Sequence, residues 1–216
     1  MYIGLWLYGL KKLTLPADWV TLVVLLVAAI LAAALGVRFF DNPLRFVAIN
    51  RWVLLVILVV ICGGVVLQMN DGVLPPHGVV SFEMARDADT AKDILTKWDE
   101  GIIHAVRRQT WLDFLFVLAY VALLSFACFW IAEKTNGILS HVGLTLGWAV
   151  PIAGLFDVVE NIALLKMLDS GSADLPAKIA YWMALPKFVI LLYFVIPFIL
   201  LSAVFWASGI PSRLRK

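Results

Sequence analysis

Charge is what this sequence is short of. Only 15% of its 216 residues are Asp, Glu, Lys or Arg, and the formal net charge is +2. The basic residues are scattered, so the continuous basic footprint that a nucleic-acid partner needs is missing, and no nucleic acid is expected. Cysteine is nearly absent. Cys62 and Cys128 both fall inside apolar runs; no C-x-x-C exists, which excludes a disulfide framework and a redox pair and leaves two small core residues. His77, His104 and His141 stand apart, none at ligand spacing from another His or from a Cys, which argues against zinc and haem. There is no G-x-S-x-G, and Ser125 and Ser202 have no His nearby in sequence, so no nucleophile motif is present. Internal repeats and low-complexity tracts are also lacking. No motif here names a reaction or a cofactor, and no cofactor is expected.

What is abundant is apolar surface. The chain is 63% hydrophobic, with nine Trp and thirteen Phe, against about 45–50% apolar residues in soluble domains. A water-soluble fold of this size has nowhere to hide that surface, so the bilayer is its solvent. Five runs are long enough to span: Trp19 to Val37, Trp52 to Met69, Trp111 to Ala132, His141 to Leu168 and Ala180 to Trp206. Trp19, Trp52, Trp111 and Trp206 sit at the ends of runs, where aromatic belts form. The expected fold class is therefore all-α: a polytopic membrane bundle of about five transmembrane helices. The expected location is a bacterial inner (plasma) membrane, with membrane lipids as neighbours.

The organisation expected along the chain has five parts. Residues 1–18 form an interfacial segment with Lys11 and Lys12 at headgroup level. Residues 19–69 hold the first two spans. Residues 70–110 are an extramembrane loop, 111–206 hold spans three to five, and 207–216 are a basic tail. Residues 20–31 followed by "AAALG" also resemble a signal-peptide core with a small-residue cleavage site; the apolar run continuing to Val37 favours a span. Within the loop, Ala91, Leu95, Trp98, Ile102 and Ala105 recur at helical spacing, which predicts an amphipathic helix.

Side A is the face carrying the N-terminus and this loop; side B is the opposite face. Side A carries more Lys and Arg in total, side B slightly more near span ends, and the near-end residues count in setting topology. Side B is therefore expected to be cytoplasmic.

The fourth span holds the anomaly, "GLFDVVENIALL". Asp157, Glu160 and Asn161 share one face of a helix. Gly143, Gly147 and Gly154 continue that face toward side B, and the first two form a GxxxG that admits a close neighbour. An unpaired charge at bilayer depth costs at least a few kcal/mol, so the chain must supply a partner. Lys187 follows the loop between spans four and five by about as many residues as Asp157 precedes it, and in an antiparallel pair the two reach similar depth. Pro186 beside it is expected to break the local hydrogen-bond ladder. Asp113 and Tyr120, seven residues apart on the third span, bring a shallow acid and a mid-depth phenol to the same leaflet half. Glu83 and Arg86 of the loop are placed to cap a cavity there.

Each residue has a plain structural alternative. Asp113 serves equally as a helix N-terminal acid, Tyr120 as a core tyrosine, Lys187 as a snorkelling cation, and the acidic trio as interhelical glue. Intramembrane ionisable residues default to function, and two acids exceed what one interhelical bond needs. Glu160 and Asp157 are thus the candidate catalytic pair, with Glu160 carrying the proton and Asp157 paired to Lys187. Asn161, Lys187, Tyr120 and Asp113 are the candidate ligand-binding set. Asp113, Asp157 and Glu160 are the one set that approaches a metal site; oxygen-only sites usually need more ligands, and no metal is expected.

The expected function is binding of, or proton transfer to, a small lipid-like molecule with an apolar body and one polar head. A proton- or cation-coupled transporter is the first alternative, with a homodimer supplying further helices. A non-catalytic scaffold or assembly protein is the second.

Overall fold

The computed structural model describes residues 19–40, 42–69, 78–170 and 174–207. The expected interfacial segment 1–18 and most of the basic tail 207–216 lie outside them. Among the described residues the fold is all-α. Helix α1 spans Trp19–Phe39, and a 3-10 turn at Pro43–Phe46 leads to α2, Arg51–Met69. Two short helices, α3 (Gly78–Glu83) and α4 (Ala88–Leu95), precede the long α5, Glu100–Lys134. Helix α6 spans Ile138–Ser170 and α7 spans Asp174–Phe188. The chain then continues through a π-helical stretch, Val189–Val195, into α8, Ile196–Ala207.

Five helical segments are long and apolar enough to cross a bilayer: α1, α2, α5, α6 and the continuous α7–π–α8 unit. Their packing is the reverse of a soluble fold. Helix α2 buries none of its residues, and Val56, Val60 and Leu67 are all more than half exposed. Only one of its faces, with Leu54, Leu55 and Leu58, packs against protein, and a helix apolar on every face needs lipid over the rest. The chain is an integral, multi-pass membrane protein.

Helix α5 pairs with α6 through the small-residue seam. A Cβ added at Gly147 would stand 2.5 Å from Phe129, and one added at Gly143 would stand 2.9 Å from the Cys128 backbone oxygen. Gly154 likewise faces Val121 at 2.6 Å. The turn between these helices uses Gly137 at φ 62°, a left-handed conformation that side chains with a Cβ resist.

The loop differs from its periodicity. The apolar spacing runs from Ala91 to Ala105, but the helix does not. It stops at Leu95 and restarts at Glu100, because Asp99 turns outward and its Oδ1 accepts from the Ile102 N–H at 2.8 Å as an N-cap. Asp87 caps α4 in the same way, accepting from Thr90 N–H at 2.8 Å, and this holds its carboxyl below the usual range. Ile102 and Ala105 therefore begin the long α5, which runs into the third span without interruption.

Two apolar cores result. One lies under the loop helices, where Phe82, Ile94 and Trp98 pack with Leu164 and Met167 of α6. The other lies deeper, around Val117 and Tyr120 of α5, Val150 and Ala153 of α6, and Ile190 and Val195 of the π stretch. The polar residues of α6 fall at the seam between them.

Candidate functional site

The six predicted side chains converge on three helices. From α6, Asp157, Glu160 and Asn161 are all buried, with Glu160 1% exposed. From α7, Lys187 is 6% exposed and stands between the two acids. Its Nζ donates to Asp157 Oδ1 at 3.0 Å and lies 2.6 Å from Glu160 Oε2. Lys187 thus shares its charge between both carboxylates instead of pairing with Asp157 alone. From α5, Tyr120 Oη donates to Asp157 Oδ2 at 2.9 Å. Asn161 Nδ2 donates to Asp113 Oδ2 at 2.6 Å.

The lysine is fixed by its surroundings. Its ammonium lies 4.6 Å from the centre of the Phe188 ring, a cation–π contact that partly replaces lost water. Pro186 immediately before it carries no N–H and leaves the Trp182 carbonyl without its usual helical donor. The helix does not break there. Beyond Lys187 it widens, and the Ile196 N–H reaches back five residues to Leu191 O. Such π segments recur at functional sites.

A further acid arrives from outside the spans. Phe82 of α3 is fully buried and packs against Trp98 at 5.1 Å between ring centres. This anchors α3 over the bundle and holds Glu83 within Coulomb reach of Lys187 and Asp157. Burial pushes the Glu83 carboxyl above the usual carboxylate range, the attraction of Lys187 opposes the rise, and the charge of Asp157 adds to it. Arg86, the other candidate cap, is exposed and lies 5.5 Å from the centre of the Tyr181 ring. Sequence spacing gave no measure of how close Glu83 comes, because the contact depends on how a six-residue helix docks.

The acceptors of this cluster outnumber its donors. Asp157 has both oxygens engaged, by Tyr120 and Lys187. Glu160 does not: Oε2 meets Lys187 at 2.6 Å outside hydrogen-bonding geometry, and Oε1 has no partner among the described residues. An unsatisfied buried polar atom in a native fold calls for a reason. Asp113 is only half-buried and marks the open edge of the cluster. Among the described residues, no group of three or more His, Cys, Asp or Glu is placed to hold a metal ion.

Chemically, the arrangement offers a fixed ammonium, a carboxylate held on both oxygens, a second carboxylate with one free oxygen, and a phenol. That is the equipment for holding a polar head and moving a proton on it. Comparison with known protein families, with curated proteins and with solved structures found no match, so the site is read from its own geometry.

Proposed function

We propose that this protein binds a small lipid-like molecule by its polar head and exchanges a proton with that head through Glu160. The observation that carries this reading is the open Oε1 of Glu160, a residue 1% exposed, which has no hydrogen-bond partner among the described residues beside a buried ammonium. Interhelical glue needs no spare acceptor, whereas a site that waits for a ligand does. Asp157, held by Tyr120 and Lys187, keeps the ammonium in place while the Glu160 carboxyl gains or loses the proton. Asp113, bonded to Asn161, stands at the half-buried edge of the cluster, the side from which a head group would enter. The apolar walls of the seam suit the ligand's tail. Basic residues near the side-B span ends support insertion with side B in the cytoplasm of a bacterial plasma membrane.

The test is a search for the ligand itself. Wild type and Glu160→Gln are purified in the same mild detergent, and their lipid extracts are compared by mass spectrometry. An amphiphile present at near-equimolar amount in wild type and depleted in the variant is expected. Identical extracts from the two proteins would rule out Glu160 as the ligand's contact.

A further inference from the structure

The balance of donors and acceptors says more about the head than that it is polar. Asp157 and Glu160 stand at the centre of the cluster and Asp113 at its edge, and Glu83 ends the short helix that docks on α6 through Phe82. Among the described residues one cation, Lys187, stands with them; it donates to Asp157 and lies as an ion pair against Glu160 Oε2. Tyr120 has given its one hydrogen to Asp157, and Asn161 has given one of its two to Asp113. A carboxylate accepts and does not donate, while an ammonium offers three donors and a charge. What the described residues leave unmet at Glu160 Oε1 is therefore a donor and, with two carboxylates on one lysine, positive charge.

Resting on the ligand-binding reading above, we propose that the head is an amine: the site takes an amphiphile whose protonated primary amine docks on Glu160 Oε1. The ammonium enters past Asp113, the half-buried acid at the edge. Its N–H groups satisfy the free oxygen of Glu160, and its charge offsets the second of the two carboxylates, Asp157 and Glu160, that share Lys187. A carboxylate or phosphate head would meet three or more acids and is rejected by repulsion. An alcohol head supplies one donor and no charge, so it satisfies Oε1 without relieving the charge excess.

The experiment uses three probes with one tail: dodecylamine, dodecanol and dodecanoic acid, titrated into the delipidated full-length protein in nonionic detergent micelles. Binding is read by calorimetry and corrected by a micelle blank. Wild type should bind the amine at least about ten-fold more tightly than the alcohol, the value of one charge-assisted hydrogen bond, and the acid not at all. Glu160→Gln should lose most of the amine preference. Glu133→Gln, an acid at the side-B end of α5, should keep it. Equal binding of amine and alcohol would overturn the amine assignment and leave the amphiphile reading standing. Failure of all three probes would overturn both. Amine preference surviving in Glu160→Gln would overturn the docking point. Should that variant not fold, Glu83→Gln replaces it: a selective fall in amine affinity supports the proposal, and no change overturns it.

Discussion

The molecule holds two clusters of polar residues tied into its helices, and they are built to opposite rules. On side B, Arg51 uses its whole guanidinium. Nη1 donates to the Val47 carbonyl at 2.9 Å, Nη2 to the Leu44 carbonyl at 2.7 Å, and Nε to Glu133 Oε2 at 3.3 Å. Beside it, Asn42 donates from Nδ2 to the Phe129 carbonyl at 3.0 Å, and its Oδ1 accepts from Leu44 N–H at 3.0 Å. Every donor of Arg51 and Asn42 named here has an acceptor, although the neighbouring Trp130 Nε1 has none among the described residues, and the result is a staple that ties the α1–α2 connection to the end of α5. On side A, Lys187 serves two acids while Glu160 keeps a bare oxygen. A cluster that only holds helices together closes its own bonds. The one on side A leaves a bond open at bilayer depth, where that costs most.

The largest effect should follow from removing the cation. Lys187→Met leaves Asp157 and Glu160 buried with no counter-charge, and breaking such a pair typically costs about 3–5 kcal/mol. Thermal unfolding in detergent should show a midpoint lower by roughly 10 °C. Adding Asp157→Asn to this variant should recover part of the loss; a double variant no more stable than the single one would contradict the charge-pair account. The side-B staple predicts a smaller cost. Asn42→Ala removes one cap and one interhelical bond, worth about 1–2 kcal/mol together, and the same measurement should place it well above Lys187→Met. If Asn42→Ala proves the more damaging, the contrast between the two clusters fails.

Next in size is the acid over the site. The folded state holds the Glu83 proton more tightly than an unfolded chain would, because burial raises its carboxyl above the usual range. Its contribution to stability is full below the ordinary carboxylate range and is lost as pH rises through the raised value. Glu83→Gln should flatten that decline and leave the protein more stable than wild type at neutral pH. A pH–stability curve parallel to wild type would show that Glu83 is solvated.

How much of this was legible in the sequence varied with the kind of evidence. The spans were, because about twenty apolar residues have one physical meaning. So was the similar depth of Asp157 and Lys187, since two residues about equally far in sequence from the connection between antiparallel helices lie at one level. The glycine seam was readable for the same reason: Gly143 and Gly147 recur on one face. What the sequence hid was three-dimensional. Nothing in the spacing of 91–105 showed that Asp99 would cap a new helix. Nothing around Pro186 distinguished a broken helix from one that widens and continues. The sharing of Lys187 between two acids depends on side-chain reach of about one ångström, which periodicity does not encode. Glu83 came near the site through Phe82, a docking contact made by a short segment far away in sequence.

The smallest stability change is the one that separates the two clusters most sharply. In delipidated protein, Glu160→Gln removes one of two acids competing for Lys187 and keeps the shape of the side chain. Asp157 retains both of its partners, Tyr120 and Lys187, so no charge is stranded. The amide adds donors where the carboxylate had an unmet acceptor. The stability should stay within about 1 kcal/mol of wild type or rise, as it does when a residue is kept for function at the expense of stability. Glu133→Gln on side B should lose a little, because there the carboxylate has a matched guanidinium in Arg51, worth up to about 1 kcal/mol at a partly exposed site. A clear fall for Glu160→Gln together with indifference at Glu133 would reverse the assignment. Side A would then be the staple, and its open oxygen would be a cost of holding Lys187 between two acids.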